Sequence, residues 1–300
     1  MSRLVVMGAG AWGKALAQMA ERAGHEVKLW SRRAPDAAAL MQAEALIISV
    51  PAQDVRQVLG MVTLPDDVPL IITAKGIERS TGKFMHEVVE DCAPHHPALI
   101  LSGPSFAADV LAGLPTAVTL AGPDLDLAMR WANALSIATF RIYGSDDVKG
   151  VAIGGAMKNV LAIACGICDG VRLGDSARAA LITRGFAELS RFGAALGARP
   201  ETMMGLSGMG DLILTASSDK SRNYAFGKRL GEGMGVAEAV ALSSGTVEGA
   251  YTASVAVKLA QGLGIAMPIV SAVHAIVDQG SSPREEIARL LARPVTTEKT

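Results

Sequence analysis

Aromatic side chains are scarce in this chain, with Phe, Trp and Tyr making up 4% of 300 residues. Single-stranded nucleic acid is held largely on aromatic faces, so that class of partner is disfavoured. An excess of one charge is lacking too: 28 basic residues stand against 29 acidic ones, for a net charge of −1. That balance leaves no electrostatic footprint for DNA, RNA or an anionic membrane, and any anion must be read by a local cluster of cations. Cysteine is limited to Cys92, Cys165 and Cys168, which cannot all pair within the chain. The opening SRLVVMGAGAWG shows no secretory pattern, so a reducing cytoplasm is the expected home. Cys165 and Cys168 form a CxxC without a second pair for zinc, and read as helix packing. His25, His86, His95, His96 and His274 show no paired ligand spacing, and no serine lies in a nucleophile elbow. Neither a metal site nor a serine nucleophile is expected. The apolar run from Val151 to Cys168 is broken at its centre by Lys158 and Asn159. Those two residues oppose insertion and predict a buried helix, with no membrane span.

What the chain does have is small aliphatic residues: half of it is hydrophobic, and its length suits two domains. Up to about Gly144, short apolar runs alternate with helical patterns. RLVVMG, HEVKLW, ALIISVP, PLIITAKG, PALILSGP, PTAVTLAG and FRIYGS read as strands, and AWGKALAQMAERAG and DLDLAMRWANAL as helices. Such alternation calls for right-handed crossovers and a mostly parallel, doubly wound sheet. From Asp147 onward the periodicity is helical almost throughout. The expected architecture is an α/β domain at 1–145 and an all-α domain at 146–300, ending in a frayed PVTTEKT.

Gly8-Ala9-Gly10-Ala11-Trp12-Gly13 is a GxGxxG directly after the first strand and at a helix start. Gly8 allows the tight turn, Gly10 lets the backbone approach a pyrophosphate, and Gly13 lets helix and strand pack closely. The α/β domain is therefore expected to be Rossmann-like, with phosphates at the positive helix end. The second strand ends in Ser31, Arg32 and Arg33, where an acidic residue would select NAD. This predicts NADP(H) as the preferred cofactor with NAD(H) possible, unless the arginines are only solvated surface charges. Lys75 and the loop from Ser102 to Ala107 follow adjacent strands, at the edge where such sheets bind ligands. Asp211 lies in a glycine turn before an apolar run, and reads either as a helix cap or as a working carboxylate. Ser221, Arg222 and Asn223 combine a hydroxyl, a guanidinium and an amide, a trio suited to a phosphate or polyol.

Lys158 is the hardest residue to place, because its ammonium wants water and its neighbours offer little. Desolvation would bring its pKa toward the range in which one amine both gives and accepts a proton. The alternative is a structural lysine neutralised by a carboxylate. Gly154 and Gly155, one turn earlier, leave room for a ligand or for backbone.

GAGAWG, ITAKGIE, LSGPSFA, GAMKNVLAIACGICDG, GLSGMGDLILT, SRN and TVEGAYTA occur in this order over nearly the whole chain. Together they resemble the bacterial and eukaryotic NAD(P)-dependent glycerol-3-phosphate dehydrogenases. The resemblance implies a dinucleotide-binding domain followed by a helical one. It also implies interconversion of dihydroxyacetone phosphate and sn-glycerol 3-phosphate for phospholipid synthesis, usually by a homodimer. By matching motif, Lys158 resembles the proton acceptor, and Lys75, Gly103, Ser105, Asp211, Ser221, Arg222 and Asn223 resemble substrate contacts. Ala11, Trp12, Arg32, Lys75, Ala107, Arg222 and Glu248 match positions lining the cofactor, and Thr246 stands where the family often has valine. The chain departs from the pattern after Arg33. There APDAAALMQAEALIISVP reaches the next strand through about a dozen residues, where the resemblance implies a longer excursion bearing an Asn and a Leu-Pro pair. Two rival readings are a hydroxy-acid dehydrogenase of the same plan and an NADP(H)-sensing protein without chemistry.

Overall fold

The computed structural model describes residues 1–295 and 297, so the expected frayed tail falls in part outside the described residues. β1 (Arg3–Met7), α1 (Ala11–Arg22) and β2 (Glu26–Trp30) form the opening unit. α2 (Ala37–Met41), β3 (Ala45–Ile48), α3 (Val55–Leu59) and β4 (Leu70–Ile72) follow. Next come α4 (Met85–Cys92), β5 (Ala98–Ser102), α5 (Ala107–Leu111), β6 (Thr116–Ala121), α6 (Leu125–Leu135) and β7 (Phe140–Ser145). All seven predicted strands join one sheet in the order β2-β1-β3-β4-β5-β6-β7. β1 to β5 are parallel, β6 runs antiparallel to β5, and β7 is parallel to β6. The strand order departs from β1 in both directions, which opens a crevice at the carboxyl ends of β1 and β3.

Side chains alternate between the two faces of each strand. Leu4, Val6, Ile47 and Leu99 pack with Leu16 and Met19 of α1 and Trp131 of α6. Val5, Met7, Ile48 and Ile100 face the other way, into a core continuous with Ile153, Met157 and Phe192 of the helical half.

Beyond Ser145 every element among the described residues is helical. These are α7 (Val148–Gly170), α8 (Asp175–Ala195), α9 (Pro200–Met204), a π-helical turn at Leu206–Gly210, and α10 (Asp211–Ala216). α11 (Arg222–Gly231), α12 (Val236–Ala241), α13 (Glu248–Gly262), α14 (Pro268–Asp278) and α15 (Pro283–Leu291) complete the half. Asp147 caps α7, accepting from Gly150 N at 2.9 Å. Every residue of α7 from Gly150 to Cys168 is buried. By length and composition α7 could cross a membrane, yet α8, α10, α11, α13 and α14 surround it, so it is the central helix of a packed core. Cys165 and Cys168 are free and buried within it. α11 lies against α7 main chain to main chain: a Cβ at Gly166 would come within 2.1 Å of Tyr224 O, and one at Gly227 within 2.1 Å of Ile163 O. Only glycine permits that approach.

Candidate active site

At the start of α1 the glycine turn takes the shape its sequence calls for. Gly8 has φ +121°, and a side chain there would lie 2.6 Å from Ser49 O. A Cβ at Gly13 would fall 1.8 Å from Gly8 O, so helix and turn are in contact. At Gly10 nothing lies within 4 Å of a built Cβ, and this N-cap residue offers no side chain to the first amides of α1. The protein's own packing does not require glycine there, and the open cradle fits a dinucleotide pyrophosphate. Ala11 is exposed, and half-buried Trp12 rests on the core beneath α1. Arg32 and Arg33 stand exposed just beyond β2.

Beyond the carboxyl ends of β4 and β5, three segments remote in sequence meet. Lys158 Nζ donates to Asp211 Oδ1 at 2.9 Å, and Lys75 Nζ donates to Asp211 Oδ2 at 2.6 Å. Lys75 also donates to Gly103 O at 3.0 Å. One carboxylate at the head of α10 thus bridges a lysine following β4 and a lysine from the middle of α7. Asp211 is 1% exposed, and its side chain caps no helix. Of the two readings its sequence allows, the structure has the bridging carboxylate. Burial pushes the Lys158 amine down from the ordinary lysine range to about 8; Asp211 opposes that shift and Lys75 adds to it. The room expected beside Gly154 and Gly155 is taken by protein: Ser207 O would lie 2.8 Å from a Cβ at the first, and Ser102 Oγ 2.6 Å from one at the second. Cavities of about 740 and 890 Å³ open elsewhere, and no member of this charged cluster lines them.

A ladder of amides braces the cluster. Asn159 Nδ2 donates to Lys75 O at 3.3 Å, Asn223 Nδ2 donates to Asn159 Oδ1 at 3.0 Å, and Gly249 N donates to Asn223 Oδ1 at 3.0 Å. It ties the end of β4 to α7, α11 and α13. Ser221 caps α11, accepting from Tyr224 N at 3.3 Å. Asn223 and Ser221 are therefore engaged within the protein, while Arg222 between them is exposed. The Arg222 charge acts on both Lys158 and Glu248. Glu248, at the head of α13, accepts from Ala52 N at 3.1 Å, and its Oε2 is buried without a partner among the described residues. Burial pushes this carboxyl up to about 7. Ser105 Oγ donates to Gly103 O at 3.1 Å; Ala107 and Thr246 are half-buried. Sequence reasoning missed the bracing role of Asn159, for which a second polar residue beside Lys158 was the available signal. It also missed Asp54, which only the folded chain brings to Arg32 at 3.6 Å.

Comparisons with known proteins give the family of the chain. A family model described as the NAD-dependent glycerol-3-phosphate dehydrogenase C-terminus matches residues 147–288. The corresponding N-terminal model matches in two overlapping pieces, 3–40 and 35–128, and the break falls at the connection after β2. The chain is 47% identical over 322 residues to glycerol-3-phosphate dehydrogenase [NAD(P)+] of Novosphingobium aromaticivorans, with 98% of this chain and 97% of that protein covered. It is 51% identical over 324 residues to the protein of that name from Methylobacterium radiotolerans, with 98% and 97% covered. Both alignments are longer than this 300-residue chain, so the relatives carry residues that it lacks. The crystal structure of a glycerol-3-phosphate dehydrogenase from Coxiella burnetii superposes with a TM-score of 0.90 at 35% identity, covering 97% of this chain and 99% of that one. The chain, with its glycine turn and its lysine-bearing central helix, belongs to the NAD-dependent glycerol-3-phosphate dehydrogenase family.

Proposed function

We propose that the chain reversibly reduces dihydroxyacetone phosphate to sn-glycerol 3-phosphate, with Lys158 giving and taking the proton and NADPH preferred over NADH. One observation carries the reading: a buried amine, at a pKa of about 8, shares its carboxylate partner with a second lysine. A nicotinamide cofactor held at the glycine turn supplies or accepts the hydride. The remaining chemistry belongs to side chains. Protonated Lys158 polarises the ketone and donates to its oxygen; in the reverse direction the neutral amine takes the hydroxyl proton. Asp211 orients both ammonium groups. Lys75 favours the neutral form of Lys158 by repulsion and helps to stabilise charge developing on the substrate oxygen.

Arg222, flanked by Ser221 and Asn223, is assigned to the phosphate, since guanidinium binds phosphate through paired charge-assisted hydrogen bonds. Gly103 and Ser105 complete the substrate contacts. Gly8, Gly10, Ala11, Trp12, Gly13, Arg32, Arg33, Lys75, Ala107, Arg222, Thr246 and Glu248 line the cofactor in this reading. The preference for NADPH is supported by two exposed arginines where an NAD enzyme would carry an acid. A dinucleotide-binding unit at 1–145, a catalytic unit at 146–300, a cytoplasmic homodimer and a role in glycerophospholipid synthesis belong to the same reading, supported by family likeness.

The test is NADPH oxidation by the purified chain with dihydroxyacetone phosphate as the only acceptor. Stoichiometric sn-glycerol 3-phosphate is expected, with a much lower rate on unphosphorylated dihydroxyacetone. No oxidation overturns the activity, equal rates on the two acceptors overturn the phosphate assignment, and a higher kcat/KM with NADH overturns the cofactor preference.

A further inference from the structure

The end of β2 folds into a tight turn. Ser31 N donates to Ala34 O at 3.4 Å, Ala34 N donates to Ser31 O at 3.0 Å, and Ala34 N also donates to Ser31 Oγ at 3.2 Å. Arg32 and Arg33 occupy its tip. The chain then returns to β3 with a single five-residue helix, α2, on the way. What steadies Arg32 comes from beyond β3. Arg32 Nη1 donates to Gln57 Oε1 at 3.4 Å, and Arg32 Nη2 lies 3.6 Å from Asp54 Oδ2. Asp54 ends a short 3-10 turn, Ala52–Asp54, and its side chain does not cap the helix that follows. The cation beyond β2 is therefore met by a carboxylate that a single-strand reading of cofactor preference does not count.

We propose that Asp54 is a specificity-determining residue: it competes with the 2′-phosphate of NADP(H) for Arg32, and so keeps NAD(H) usable by an enzyme that presents two arginines at this position. The inference rests on the reading that Arg32 faces the 2′-phosphate. The side chains of Arg32 and Asp54 are 51% and 34% exposed, so water screens the pair and its strength is modest. A phosphate offers bidentate, charge-assisted hydrogen bonds and displaces the carboxylate. Asp54 thus lowers the preference for NADPH without abolishing it.

The experiment compares kcat/KM for NADPH and NADH in the full chain, in Asp54→Asn, in Arg32→Ala and in the double variant. Asp54→Asn is expected to raise the NADPH/NADH ratio about 2- to 5-fold, the range of an exposed ion pair, through a lower KM for NADPH. On the Arg32→Ala background the same change is expected to leave the ratio unmoved. A ratio unchanged or lowered in Asp54→Asn overturns the inference, as does an equal rise without Arg32. If Arg32→Ala alone leaves the ratio unchanged, the placement of Arg32 fails and the inference with it. If Arg32→Ala lowers the ratio while Asp54→Asn does nothing, only the role of Asp54 fails. Asp54→Ser supplies a second removal of the charge, and a thermal melt of each variant separates a folding defect from a change of selectivity.

Discussion

Arg32 beyond β2 has 51% of its side chain exposed, whereas Lys158 in the middle of α7 has 7%. The sheet half sets Arg32 and Arg33 at a rim, where water screens them and each changes binding by a modest factor. The helical half encloses Lys158 beside the buried Asp211 carboxylate, where desolvation pushes its pKa down to about 8. In the proposed reading the screened charge serves selection and the desolvated one proton transfer.

The largest effect that separates the halves is expected from Lys158→Ala. Turnover should fall about 10²- to 10⁴-fold, the span of general acid–base catalysis, while NADPH titrated by its fluorescence binds nearly as before. Unchanged turnover would show that burial alone does not make this amine reactive. Asp211→Asn removes the charge that holds the Lys158 pKa up, so the pKa should drop below its present value of about 8. In glycerol phosphate oxidation, which needs the neutral amine, the rise of kcat with pH should then move to lower pH. In ketone reduction, activity at neutral pH should fall as the protonated form is lost. A pH profile that stays in place would detach Asp211 from the proton transfer.

Stability offers the next contrast. Gly227→Ala would place a methyl 2.1 Å from Ile163 O, and overpacking of this kind should cost about 3 kcal/mol in a urea melt. Gly10→Ala points into open space, and should change stability by less than about 0.5 kcal/mol while weakening dinucleotide binding. Equal losses from the two would erase the distinction between a glycine held for packing and one held for a ligand.

A smaller effect than that of Gly227→Ala, and one that depends on pH, is expected at Glu188. Its carboxylate accepts from Ile269 N at 2.9 Å and Val270 N at 3.3 Å at the head of α14, and burial pushes it from the ordinary 4.5 up to about 7. Because the folded state keeps this proton longer than the unfolded chain, the associated stability is full below pH 4.5 and is lost as pH rises through about 7. Glu188→Gln should flatten that decline, by on the order of 1 kcal/mol, in denaturant melts taken across the range. An identical slope in the variant would locate the dependence elsewhere.

Much of this arrangement is legible in the sequence because it is local. The seven strands announce themselves as apolar runs bounded by Gly and Pro, and Lys158 stands out against the helix around it. The glycine turn is readable for the same reason: its three glycines act within a single loop. The job of Asp211 is not local. It lies 53 residues from Lys158 and 136 from Lys75, and no spacing rule connects them; its glycine-rich neighbourhood suggests a cap as readily as a bridge. Asn223 shows the converse: the trio SRN suggests three ligand-facing groups, but folding turns two of them partly inward to a ladder and a helix cap. Family likeness extended the reading where periodicity stopped. It carried less beyond Arg33, because the connection that matches the family elsewhere is short here and the partner of Arg32 comes from another part of the sheet.

The main-chain contact of α7 with α11 at Gly166 and Gly227 has a consequence for the spacing of the two helices. α11 begins at Arg222, and α7 carries Lys158. At these points no side chain lies between the two backbones, so nothing soft is available to repack. The two helices act as the fixed jaws of a caliper, setting the separation of the backbones that bear Lys158 and Arg222. Adjustment of that span falls to the exposed Arg222 side chain, since the polypeptide path itself is closed to repacking.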